Sequence, residues 1–245
     1  MSTASGPITS GAASSIRRDN LSPLNPASHP ELLKELAEQF VKHGYDLKWL
    51  HRTILNSRTY QQSSRAHPAS ASDRTNDAYF YYRRLPAEVL LDALNQATGT
   101  TENMDMKYWH WPETMKIVEI PFAPRNDFVN FVLEQFGRPA RNPAAQCDCE
   151  RDPSVSVLQV LTLTNHPRVR QKIADPKGRV AQLVKDLKDD DKRIDELFLS
   201  TLGRLPSAAE RQACLDYLRK AVSPEKGLQG VLWGLLNTRE FLLQH

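Results

Sequence analysis

Four of the chain's ten glycines, Gly44, Gly99, Gly137 and Gly203, follow runs of apolar residues at helical spacing. Glycine takes the left-handed conformation at little cost, so each is read as a helix stop. Ten glycines are too few for the turns an all-β chain of this length requires. The predicted fold is therefore mainly α: an irregular multi-helix bundle with a minor β element and long polar loops.

Start signals complete the helices. Ser28 and Glu31 fit a capping box ahead of Leu32, Leu33, Leu36, Phe40 and Val41, and Asp46 caps a second run, Leu47, Leu50, Ile54 and Leu55. So short a connection predicts an antiparallel pair. Residues 61–77 are polar and Ser-rich and are read as loop. Pro86 opens a third helix with Val89, Leu90, Ala93, Leu94 and Ala97, and Asn126 a fourth with Phe128, Phe131, Val132 and Phe136. Between them Lys116 to Phe122 is the expected strand, being rich in β-branched residues. Ser154–Thr164 carries signals of both strand and helix and is read as helix. Four more helices are expected over 177–187, 193–202, 208–222 and 224–236, with Ser207 and Glu210 as a second capping box.

Domain organisation follows from composition. Residues 1–27 are rich in Ser, Ala, Thr, Gly and Pro, too poor in apolar area to offset the entropy of ordering them, and are expected to be disordered. A single helical domain is expected over 28–245. Arg17-Arg18 resembles a twin-arginine export signal, but no apolar stretch follows it, so no signal peptide is read here. A net charge of +3 argues against nucleic acid as partner. No run approaches the ~20 apolar residues of a membrane span.

Chemistry-bearing residues are sparse. Cys147-Asp148-Cys149-Glu150-Arg151 holds two of the three cysteines, inside a Pro-containing loop over 138–153. The thiols can be inert, form a strained small-ring disulfide, or bind a soft metal; a closed zinc site needs ~4 ligands. Cys214 reads as core beside Leu218 and Val222. His51, His110 and His166 are further possible ligands, none at ligand spacing. No cofactor is predicted, with metal at Cys147 and Cys149 the one alternative. Glu150-Arg151 is read as an ion pair anchoring the loop, with Glu31, Glu88 or Asp92 as partners for Arg151. Tyr81, Tyr82, Trp109 and Trp111 are candidate binding aromatics, since aromatic faces stack on sugars or bases, or else they cover the core. His29, His51, Asp73 and Asp77 are acid/base types outside any catalytic pattern.

The runs NPASHPELL (25–33), GYDLKWLHRTILNSRTYQQSS (44–64), YYRRLPAEVLLDALNQATG (81–99), FGRPAR and CDCER within 136–151, and LWGLLNTREFLLQH (232–245) together resemble a planctomycete-type domain of unknown function, the fifteen-fifty-three family. The resemblance implies context only: a C-terminal position in long exported or periplasmic proteins, behind a second uncharacterised domain and often a cytochrome-c-like module. This chain has no haem-attachment Cys-x-x-Cys-His and looks like a truncated copy or a C-terminal piece. Three functions stay open. The first is a non-catalytic module contacting protein (an upstream module of the same family or another protein) or glycan within an envelope-associated assembly. The others are a redox or metal domain at Cys147 and Cys149, and a carbohydrate-active hydrolase.

Overall fold

A computed structural model describes residues 27, 29–70, 78–80, 83–105, 110–112, 114–120, 124–136 and 165–244 of the chain. They belong to two compact units, residues 1–83 with 245, and residues 84–244. Ten α-helices among the described residues bear out the mainly α reading.

The first unit is built on α1 (Pro30–Lys42) and α2 (Leu47–Leu55). Helix α1 starts one residue later than a Ser28 cap requires: His29 is the N-cap, with no side-chain cap bond. Pro30 lacks the N–H a cap would satisfy and presets helical φ. Helix α1 ends as expected at Gly44. The N–H of Gly44 donates to Val41 O and that of Tyr45 to Phe40 O, both at 3.0 Å. This double closure forces φ to +63° at Gly44 and +62° at Tyr45. Tyr45 sets its ring edge-on against Phe40, at 5.5 Å between centroids. Asp46 then caps α2 by accepting from the N–H of Lys48 at 2.8 Å and of Trp49 at 3.2 Å. The rings of His43 and Trp49 stack at 3.9 Å across the turn. Leu36, Phe40, Leu50 and Ile54 are half-buried, while Leu32, Leu33, Val41, Leu47 and Leu55 are exposed.

The second unit holds α3 (Ala87–Thr98), α4 (Asp127–Gln135), α5 (Pro167–Ile173), α6 (Arg179–Asp186), α7 (Asp190–Leu202), α8 (Ala208–Lys220), α9 (Pro224–Leu236) and α10 (Arg239–Leu242). Helix α3 packs on α4, α5, α6 and α7, and α9 on α5, α6, α7, α8 and α10, so these two helices organise the core. Leu90, Leu91, Ile194, Leu197, Leu228 and Leu232 are fully buried there. Each such side chain stabilises by about 1.5–3 kcal/mol relative to exposure. On α3 the buried arc runs through Leu90, Leu91, Leu94 and Ala97, so Leu91 takes the place expected of Val89, which is exposed. Pro86 is the N-cap of α3, one place before the expected first turn.

Over residues 116–120, the described part of the strand expected at Lys116–Phe122, no strand forms. Ile117–Glu119 is a 3-10 turn. An isolated strand would leave its N–H groups without partners. Here the Asp92 carboxylate of α3 accepts from the N–H of Ile117 at 2.8 Å and of Val118 at 3.0 Å. The i, i+3 spacing buries Ile117 and Ile120 and turns Val118 outward. The minor β element is instead β1 (Arg83–Arg84) paired with β2 (Leu243–Gln244).

Arginines close several helix ends. Arg179 donates to the C-terminal carbonyls of α3, Ala97 O at 3.0 Å and Gln96 O at 2.7 Å. Buried Arg193 does the same for α6, through Leu187 O and Val184 O. Arg204 grips Glu210 with two bonds and Glu240 with two more, tying the start of α8 to α10. The Ser207–Glu210 capping box forms as expected. Helix α8 stops at Lys220, short of the expected residue 222, so Val222 is 99% exposed and leaves the Cys214–Leu218 face. Cys214 itself is half-buried against the core, and burial pushes its thiol up.

Candidate functional site

A cluster of ionisable groups with a buried ion pair at its centre surrounds Glu102, in the segment after α3. Gly99 ends α3 at φ +65°. The Glu102 side chain is 1% exposed and that of Lys172, on α5, 2%. Lys172 Nζ lies 2.7 Å from Glu102 Oε1, and also donates to Asn95 Oδ1 at 2.8 Å and Thr100 Oγ1 at 3.0 Å. An ammonium has three N–H donors, so these partners saturate it. Arg168 holds the same carboxylate through Nε at 3.1 Å and Nη2 at 3.2 Å. Asn126, the N-cap of α4, donates to Glu102 Oε2 at 2.9 Å while its own carbonyl accepts from Val129 N–H.

One carboxylate thus serves two cations. Burial alone pushes the Glu102 carboxyl up. Hydrogen bonds from Arg168, Lys172 and Asn126 outweigh burial and hold it below its ordinary value. Burial also pushes the Lys172 ammonium down, against the pull of Glu102. The arrangement ties α3, α4 and α5 together, with the buried Glu102 and Lys172 side chains occupied by protein partners.

His51, His110 and His166 are engaged locally. His51 Nδ1 lies 2.7 Å from Leu47 O, and His166 Nδ1 accepts from Arg168 N–H at 3.1 Å as the cap of α5. His110 Nδ1 sits 3.1 Å from Asp105 Oδ2 and holds that carboxyl below its usual range. His29 is exposed at the N-cap of α1. Among the described residues no three His, Cys, Asp or Glu converge as a metal site.

Cys147, Cys149, Glu150, Arg151, Trp109, Tyr81 and Tyr82 lie outside the described residues, as do Asp73, Asp77 and the expected helix over Ser154–Thr164. Trp111 is described: it is half-buried and packs against the core. Asp92, named as a partner for Arg151, accepts the two backbone N–H groups of the 3-10 turn.

In the second unit two aromatic residues outside every sequence-based candidate set face outward, Tyr217 on α8 at 52% exposed and Trp233 on α9 at 42%, as Tyr45 and Tyr60 do in the first. The tyrosine ring lies over Gly230: a Cβ there would come within 2.3 Å of Tyr217 Oη and 2.9 Å of Cζ. Trp233 follows Gly230 by three positions, on the same face of α9. Its outward position was legible, because Leu228, Val231, Leu232, Leu235 and Leu236 fill the core stripe and exclude it.

No helix among the described residues is long and apolar enough to cross a membrane. No curated protein and no solved structure matches the chain. A family model does, over residues 18–218, under the description PSD1, protein of unknown function (DUF1553). The match covers most of the chain and takes in the Gly44 and Gly99 stops, the Glu102 network and the α8 capping box, so this protein belongs to the DUF1553 family.

Proposed function

We propose that this protein is a non-catalytic helical module, making surface contacts with a glycan or a neighbouring protein module in an envelope-associated or secreted assembly. What supports the reading is a division of labour within the second unit. Its buried Glu102 and Lys172 are held by each other, by the part-exposed Arg168 and by neutral hydrogen-bond partners, and act as architecture. Large aromatic side chains, Tyr217 and Trp233, are presented on the outer surface of adjacent helices. Buried ions hold elements in register, whereas exposed aromatics give contact area at low entropic cost.

A panel of immobilised glycans, run beside a pull-down with modules that neighbour this family in longer proteins, tests the proposal. Retention by a glycan or capture of a module supports it. Retention by neither, with a folded chain, removes it.

A further inference from the structure

Lys172 Nζ has a primary amide as well as a carboxylate for a neighbour. It donates to Asn95 Oδ1 at 2.8 Å and lies 2.7 Å from Glu102 Oε1. Asn95 belongs to α3 and Lys172 to α5, 77 residues further along the chain. An amine, an amide and a carboxylate are the three groups an isopeptide bond needs: a nucleophile, an acyl carbon and a proton relay.

Distance and burial both favour the reaction. With a C=O bond of about 1.23 Å, a hydrogen bond of this length puts Nζ about 3.5 Å from Asn95 Cγ. Reacting atoms in a near-attack geometry sit ~3–3.5 Å apart. In the hydrogen bond the nitrogen meets the lone pair of Oδ1. A turn about χ2 of Asn95, a soft torsion, offers it the face of the carbonyl carbon instead. Water is kept away, because the Lys172 and Glu102 side chains are only 2% and 1% exposed. An ion pair in so dry a place is separated from its neutral form by one proton hop along the 2.7 Å contact. Burial pushes the Lys172 ammonium down, which favours that hop. The bonds from Arg168 and Asn126 favour the carboxylate, so the neutral pair is the minor form and the reaction is slow.

An exposed contact of the same three residue types supplies a comparison. Lys226 Nζ donates to Gln229 Oε1 at 3.1 Å, and Glu225 accepts from Nε2 of the same amide at 3.3 Å, but both bonds are open to water.

We propose that Lys172 and Asn95 join in an intramolecular isopeptide bond, with Glu102 as the proton relay. Glu102 takes a proton from the Lys172 ammonium, and the freed Nζ lone pair attacks Asn95 Cγ. The bond from Cγ to Nδ2 then breaks as Glu102 passes protons to the leaving nitrogen. Of the three ammonium protons one stays on the new amide and two reach Nδ2, which departs as ammonium. One C–N bond replaces another, so no oxidant, metal or second substrate takes part. The step occurs once per chain and makes the joint between α3 and α5 covalent, whichever surface contacts the module makes.

Intact-mass spectrometry of the full chain, held folded at neutral pH and sampled over days, tests the proposal. The parent is expected to become lighter by one ammonia. Tryptic digestion is expected to give a branched peptide joining the Asn95 and Lys172 segments, with no cleavage after Lys172. Lys172→Arg and Asn95→Ala are expected to keep their full mass, and the linked parent to melt above both. Glu102→Gln is expected to form the bond about 10²–10⁴-fold more slowly. Lys226→Arg, at the exposed contact, is expected to link as the parent does. A folded parent that keeps its full mass overturns the proposal and leaves the contact-module reading untouched. Ammonia loss that persists in Lys172→Arg, or a branched peptide joining other residues, overturns it too. Formation at the parental rate in a folded Glu102→Gln protein overturns the relay assigned to Glu102.

Discussion

Lys172 Nζ lies 2.7 Å from Glu102 Oε1 with both side chains almost fully buried, and Arg168 closes on the same carboxylate from the other side. Two cations and one anion make the partners unequal. Glu102→Gln leaves both cations around a neutral amide and is expected to cost about 3–5 kcal/mol, the range for breaking a buried pair. Lys172→Met leaves Glu102 paired with Arg168 and is expected to cost less. Urea denaturation of the two variants beside the parent checks the order.

Acid should act through the same carboxylate. The folded-state value of Glu102 is depressed below its ordinary 4.5. Its contribution is therefore complete above the unfolded value and is lost as pH falls through the lower folded one. Between about pH 6 and about pH 3 the parent is expected to lose more stability than Glu102→Gln, measured as the shift in urea midpoint. Equal losses would place the acid sensitivity elsewhere.

Gly44 and Gly99 offer a matched comparison. Both are left-handed, at φ +63° and +65°, but a Cβ at Gly44 meets nothing within 4 Å while one at Gly99 comes within 2.9 Å of Arg179 N. Gly44→Ala should cost only the left-handed penalty of about 1–2 kcal/mol. Gly99→Ala should cost more, because α6 must move away from α3. The difference between the two melts measures how closely those helices are joined.

Helix α9 begins beyond residue 218, where the family match ends, yet Leu228 and Leu232 are completely buried in the core. Leu232→Ala is expected to destabilise by about 2–5 kcal/mol. A chain ending at Lys220 is expected to lose its cooperative urea transition and its near-ultraviolet circular dichroism. A truncated chain that kept both would separate α9 from the folding unit.

Helix ends were the most legible part of the sequence. Asp46, Asn126 and Ser207 cap where their side chains can reach the next backbone N–H groups, and Gly44, Gly99 and Gly203 stop helices by a local conformational preference. Long-range decisions were not legible. Ile117, Val118 and Ile120 look like a strand until Asp92, some 25 residues earlier, supplies two acceptors that favour a tight turn. Glu102 and Lys172 look like solvated charges because their pairing joins segments 70 residues apart in sequence. The short helices α5 and α10 are too brief to show a periodic stripe. Trp233 is exposed because of the face of α9 it occupies, a property no loop motif signals.

Central to the proposed function is a separation between an ionic cluster that is architecture and contacts made by the exposed outer surface. Retention of Lys172→Met by the immobilised glycan or neighbouring module that retains the parent, measured well below its melting temperature, tests that separation most directly. The account predicts parental retention with a lowered melting temperature; a folded Lys172→Met protein that is no longer retained would contradict it.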